Sequence, residues 1–417
     1  MSEVDQAPPA DRPPASGGRV PKVVSHRLAM TGAVFLMAMS AVGPGFLTQT
    51  AKFTETYGAS FAAVIVLSVV IDLAVQLNVW RVIGLSGLRA QDLSNVVLPG
   101  SGYLLAGLIV LGGIVFTIAN IAGVALGLHN LAGIDLRIGA VIGAALAILV
   151  FSYKAFEGTI DKVAIALGAV KIGLIAYVAI ATSPPVLEAA QRTVDPHGLD
   201  FLPVLTLIGG TVGGYITYAG PHRLIESGTI GPDHLRRISW GSVNSILITG
   251  VLRLLLFLGV LGAVVAGAKL NEADPAGSVF RFAGGETGAR LFGLVLFVSG
   301  LLSTVGASFT SASFVKTLVP TVARRFNLSI SLFITVATVA YLILGETPTE
   351  LLVFAGAFNG LILPFGLAVV IWVAWRRRDL LGGARYPPVL LIVGAAAWLF
   401  TVYAGWESLR LLPTIFS

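Results

Sequence analysis

A chain of 417 residues that is 56% apolar and 12% charged, with a mean hydropathy of +0.89, is no soluble domain; it reads as an all-α polytopic membrane protein. The absence of cysteine excludes disulfides, thiolate metal centres and thiol nucleophiles. The net charge of +6 is not a nucleic-acid signature, because the basic residues cluster in short loops on one side and report topology.

In chain order, residues 1–26 are rich in Pro, Ala and Gly without apolar periodicity, and a disordered cytoplasmic tail is expected there. The apolar stretch that follows is long and lacks a small-residue cleavage site, unlike a signal peptide. A span needs about 20 mostly apolar residues. That rule places membrane helices near 28–57, 59–83, 101–128, 136–153, 159–182, 199–229, 238–267, 286–319, 327–345, 349–375 and 386–411, eleven in all.

Lys and Arg fall in the tail (Arg12, Arg19, Lys22, Arg27) and after every even-numbered span: Arg81 and Arg89, Lys154 and Lys162, Arg236 and Arg237, Arg324 and Arg325, then Arg376, Arg377, Arg378 and Arg385. The alternate loops are sparse or balanced, as with Glu346 and Glu350. The positive-inside rule puts the N-terminus in the cytoplasm and the C-terminus outside, in the cell (inner) membrane.

Two spans carry the same interruption. Ala41-Val42-Gly43-Pro44 lies in the first and Tyr218-Ala219-Gly220-Pro221 in the sixth. Proline removes a backbone donor and glycine lets the chain leave helical geometry, so each pair predicts an unwound segment between two half-helices. At mid-membrane depth such backbone is tolerated where it lines a cavity. Paired breaks at corresponding positions of two halves point to a transporter's central site. They also divide the chain into a first repeat (27–182, spans 1–5), a second (199–376, spans 6–10) and an added span (386–411). An odd number of spans per repeat inverts the second relative to the first, which is the LeuT-type 5+5 plan.

The same residues carry a family resemblance. The stretch Gly32 to Gly58, with Gly43-Pro44 inside it and Tyr57-Gly58 at its end, resembles the first helix of the NRAMP metal-ion transporters. Gly220-Pro221-His222-Arg223 resembles that family's Met-Pro-His-Asn element. Ser299-Gly300-Leu301-Leu302-Ser303, Leu363-Pro364-Phe365 and Arg378-Asp379-Leu380-Leu381-Gly382 extend the similarity from residue 28 to about 400. The resemblance implies a LeuT-type secondary transporter with discontinuous first and sixth helices. It also implies that the metal-ligating Asp, Asn and Met of the family stand here as Gly43, Phe46 and Gly220, which offer no side-chain donor to a transition metal. His222 remains, followed by Arg223, a fixed cation with no acceptor atom.

These replacements favour an anion such as bicarbonate or a small monocarboxylate, for example a pyroglutamate-like compound. Half-helix N-termini present free N–H groups and positive dipole ends. Gly43, Gly45, Phe46, Thr48 and Gln49 after the first break, and Gly220, His222 and Arg223 at the second, form the expected substrate site, with Arg223 able to grip a planar anion through two parallel hydrogen bonds. Thr50 shares the hydroxyl-bearing run.

Where the family resemblance expects a helix 3 proton route through Asp and Glu, Thr117 and Asn120 stand instead. Coupling has two other candidates. Ser303 and Thr304, in a hydroxyl-rich eighth span, offer hard oxygen donors to Na⁺. Lys171, in the fifth span, resembles the lysine that replaces sodium in some proton-linked relatives of the amino-acid, polyamine and organocation superfamily. Asp72, in the second span, is a further acid expected to be buried, which could pair with Lys171 or Arg253 or simply satisfy the contact with the seventh span.

No resident cofactor is expected beyond Na⁺ or H⁺ as coupling ion, and no partner beyond the lipid bilayer; a monomer is expected. A divalent-metal transporter (Mn²⁺ or Mg²⁺) with altered ligands is the alternative reading. An enzyme is disfavoured, since no His-Glu-x-x-His, Gly-x-Ser-x-Gly or phosphate-loop pattern occurs.

Overall fold

The computed structural model describes residues 34, 37–38, 41–152, 157–198, 200–316, 318–345 and 347–411. The predicted tail with its four basic residues, Lys154 and Glu346 lie outside these residues.

Helix α1 (Pro44–Tyr57) starts at the first Gly-Pro, where proline suits the opening turn because its missing donor would be unpaired there anyway. Gly58, at φ +53, and a single tight turn lead into α2 (Phe61–Ser86). The first repeat continues through the short α3 (Ala90–Val97), α4 (Ser101–Ala132), α5 (Leu136–Ser152) and α6 (Glu157–Ala181). After α7 (Val186–Val194), α8 (Phe201–Val212) and α9 (Ile216–Glu226) are the halves of one interrupted span. Then come α10 (Leu235–Val265), α11 (Pro275–Lys316), α12 (Pro320–Arg324), α13 (Phe326–Leu344), α14 (Pro348–Arg376) and α15 (Pro388–Leu411). Helix α11 is kinked at Gly284-Gly285, so its long arm coincides with the predicted eighth span.

By length and composition, eight described helical stretches can cross a membrane, or nine if the bent pair of late α6 and α7 is one span. Each of the eleven expected segments nevertheless holds helix. Helices α1 and α2 fall together in that tally as Pro44–Ser86, and α5, at 17 residues, is too short for it. Outward faces carry apolar side chains such as Val70, Leu111, Ile343 and Ile392, which suit a lipid surround.

Small residues set the packing. Gly300 of α11 comes so close to α4 that an added Cβ would stand 3.0 Å from the Asn120 carbonyl. Helix α2 runs antiparallel to α10, with Gly84 against Ile238 and Arg81 Nη1 donating to Ser239 Oγ at 2.8 Å.

The second break is not at Gly220-Pro221. The chain unwinds about two helical turns earlier, where Gly213 is extended (φ −82, ψ 162) and Gly214 is left-handed (φ +53). Gly220 and Pro221 both lie inside α9. Pro221 removes one interior hydrogen bond and the helix continues through it, whereas the positive φ at Gly214 ends helical geometry. Gly220 has a packing role: a Cβ there would drive into the indole of Trp80 on α2, with Cη2 2.8 Å away. Overpacking of this kind costs about 1–3 kcal/mol. Gly220→Val is therefore expected to lower the melting temperature in detergent by several degrees, with partial recovery when Trp80→Phe is added.

Candidate functional site

The first break is held from two sides. Val42 and Gly43 leave the helix, and the freed Val42 carbonyl accepts a 2.6 Å hydrogen bond from Lys171 Nζ of α6. Gly43 sits between α11 and α4: a Cβ on it would lie 3.0 Å from Ser303 Oγ and 3.8 Å from Asn120 Oδ1. Lys171 and Ser303 thus flank the same two-residue segment. Thr304 is buried beside Ser303, with its hydroxyl lacking a partner.

The second break is held by amides. Asn359 of α14 packs against the backbone of Gly214, and its Nδ2 donates to the carbonyls of Gly112 (3.1 Å) and Ala355 (2.9 Å). Gln49 of α1 is fully buried and donates from Nε2 to the Leu352 carbonyl of α14 at 2.8 Å. Its Oε1 has no partner and faces Gly210, where a Cβ would stand 2.8 Å away.

Between the breaks lies a small cavity lined by Gly43, Gly45, Phe46, Gln49, Asn120 and Tyr215, together with Ala41, Phe116 and Gly210. It has room for about one water molecule. Phe116 and Tyr215 meet edge to face at 5.5 Å, forming an aromatic wall. The polar groups here are amides, a phenol and helix-terminal backbone.

Four of the expected substrate residues, Gly43, Gly45, Phe46 and Gln49, are therefore brought together. Thr48 is buried outside this lining, and Thr50 Oγ1 donates to the Phe46 carbonyl at 2.7 Å, a bond internal to the helix. Gly220, His222 and Arg223 are not at the cavity. His222 Nε2 accepts from the Ala90 N–H at 3.4 Å, and its ring lies 5.9 Å from Tyr218 and 5.0 Å from Phe314. Arg223 is exposed, so it cannot grip a substrate between the broken helices. The physical reason is the shifted break, which turns residues 220–223 into ordinary positions on a half-helix.

The arginine that does approach the site is Arg253 of α10, which is 2% exposed. Its Nη1 donates to Thr211 Oγ1 at 3.0 Å, and its Cζ lies 4.4 Å over the ring of Phe46. Asp72 of α2 is 1% exposed and shares Thr211 with Arg253, while Lys171 turns to the first break instead. Sequence reading missed Asn359, Tyr215 and the role of Arg253. The paired glycines 209–210 and 213–214 were the signal for the true break.

A family model described as natural resistance-associated macrophage protein-like matches residues 34–409. The chain belongs to the Nramp family. Nramp proteins are membrane transporters, and this one is a multi-pass membrane protein of LeuT-type fold. It is 44% identical over 384 residues to an uncharacterized membrane protein of Haemophilus influenzae, covering 92% of this chain and 94% of that one. It is also 44% identical over 389 residues to the uncharacterized membrane protein YcsG of Bacillus subtilis, covering 93% and 96%. Among solved structures it resembles the Eremococcus coleocola manganese transporter in complex with an aromatic bis-isothiourea compound, at TM-score 0.75 and 17% identity over 95% of this chain and 89% of that one. It also resembles Mhp1, a nucleobase-cation-symport-1 family transporter, at 0.52 and 16%, over 92% and 93%.

At the end of the Nramp bundle away from the arginine-bearing loops, Asp274 ties the connection before α11 to α4. Its Oδ2 accepts from Asn130 Nδ2 at 2.6 Å and its Oδ1 from the Gly277 N–H at 2.9 Å, while Thr349 Oγ1 donates to the neighbouring Ala273 carbonyl at 3.0 Å. Burial pushes the Asp274 carboxyl above the usual range, outweighing those hydrogen bonds and Arg281. An acid whose folded pKa is raised supports the fold most when protonated and loses that support as pH climbs past the ordinary aspartate range. Amides of residues 274–278, corrected for intrinsic rates, are expected to exchange faster at pH 8 than at pH 5, and Asp274→Asn is expected to flatten the difference.

Proposed function

We propose that this Nramp protein is a secondary transporter of a small organic monocarboxylate, bound between the breaks of α1 and of α8–α9 in a conformation that widens the one-water cavity there. The observation that carries this reading is the lining of the cavity: amides, aromatic rings and half-helix N-termini, with no carboxylate, imidazole or thioether. Phe46, Phe116 and Tyr215 suit an apolar body better than bare bicarbonate, and Gln49 and Asn120 can bond polar atoms on it. Among the described residues no group of three or more His, Cys, Asp or Glu could hold a metal ion.

Electrostatics favours the same sign of substrate. Near the breaks, the buried ionisable side chains are Lys171, Arg253 and Asp72, two bases against one acid. A like charge within ~6 Å is opposed by roughly 3 kcal/mol at an effective dielectric constant of ~20, and a divalent ion by about twice that. A monoanion balances the excess. The solved manganese transporter shares the fold at 17% identity, which supports the architecture and leaves the cargo to the residues present.

For coupling we infer H⁺ rather than Na⁺. The Lys171 ammonium already occupies the Val42 carbonyl that a sodium ion beside Ser303 would need.

Protein in liposomes, offered labelled pyroglutamate, lactate, bicarbonate and Mn²⁺ under pH or Na⁺ gradients, is expected to accumulate an organic acid saturably with an inward proton gradient. Saturable Mn²⁺ uptake without organic acid uptake would overturn the reading. Lys171→Ala is expected to abolish the dependence on the proton gradient while changing substrate affinity by less than about threefold; an unchanged pH profile would remove Lys171 from coupling.

A further inference from the structure

We propose that Arg253 is the carboxylate-binding residue of the central site, receiving the substrate's two oxygens on the edge formed by its Nε and Nη2 atoms. The inference rests on the monocarboxylate reading above and names the group that recognises the charge.

The guanidinium lies in the interior, and a buried polar group is ordinarily hydrogen-bonded. Nη1 meets this rule through Thr211, but Nε and Nη2 are buried with no partner. Those two nitrogens share one edge of the planar fork, spaced to make two parallel bonds to a carboxylate. Placement supports the assignment. Thr211 follows the cavity-lining Gly210, and Phe46, over whose ring the guanidinium sits, itself lines the cavity. The Phe46 ring stands between the guanidinium and the cavity, so the free edge meets the substrate only when that ring moves on binding.

Asp72 completes the arrangement. Its Oδ1 is also buried without a partner, and its charge acts on the guanidinium without a direct ion pair between them. In the empty site this carboxylate offsets Arg253, and the arriving substrate competes with it for the same charge. Arg223, exposed at the bundle surface, takes no part.

The test compares pyroglutamate with its neutral amide, which has the same ring and lacks the charge, by direct binding and competition on purified protein in nanodiscs. Arg253→Lys keeps the charge and removes the fork. It is expected to weaken pyroglutamate binding at least ~30-fold while leaving the weaker amide within about twofold. Asp72→Asn removes the competitor and is expected to tighten pyroglutamate binding several-fold with the amide unchanged. If Arg253→Lys binds pyroglutamate as well as the parent, the assignment of Arg253 is overturned and the monocarboxylate reading stands. If the parent binds neither pyroglutamate nor lactate, that reading falls and the inference with it. Should Arg253→Lys fail to fold, Asp72→Asn decides, since unchanged or weaker acid binding there overturns the proposal.

Discussion

A helix interrupted halfway across a bilayer leaves carbonyl and amide groups that lipid cannot satisfy, so each break has to be held by the helices packed against it. Lys171 caps the Val42 carbonyl at the first break, and Asn359 braces Gly214 at the second. Gln49 ties α1 to the Leu352 carbonyl of α14. Lys171 and Asn359 reach the breaks from helices remote in sequence, and Gln49 reaches from α1 to a remote helix. The breaks can therefore persist only when both halves of the molecule are packed together, which makes the site a product of the whole fold.

The same contacts place chemistry where transport needs it. The lysine that satisfies the broken-helix carbonyl is a buried ionisable group set at the edge of the first break. Glycine contributes by absence: Gly43 leaves room for Ser303 and Asn120, and Gly45 and Gly210 leave room for Gln49. The resulting surface is rich in neutral hydrogen-bonding groups and aromatic walls, with positive charge set one layer back behind Phe46.

Much of the architecture was legible along the chain. Each segment that hydropathy marked as a span holds helix, though the short α3, α7 and α12 between spans went unmarked, and Gly43-Pro44 marked the first break because proline at the start of a half-helix is a local rule. The second break was misread because Gly-Pro was taken as its marker. At residue 220 the glycine answers to Trp80, 140 positions away in sequence, and nothing local reveals such a contact. The unwinding at Gly213-Gly214 had a signal in its paired glycines, but small-residue pairs in membrane helices serve packing as readily as bending.

Composition and local backbone chemistry by themselves determined that this chain is a helical membrane protein, where its spans lie, and that the first span is broken at Gly43-Pro44. Only the tertiary structure decided which charged side chains face the interior. Arg223 and Arg253 both fall inside expected spans, yet one is exposed and the other is 2% exposed over an aromatic ring at the cavity. The place of the second break separates them: unwinding at Gly213-Gly214 leaves Arg223 in the last turn of α9, clear of the cavity, while the helices packed around α10 bury Arg253.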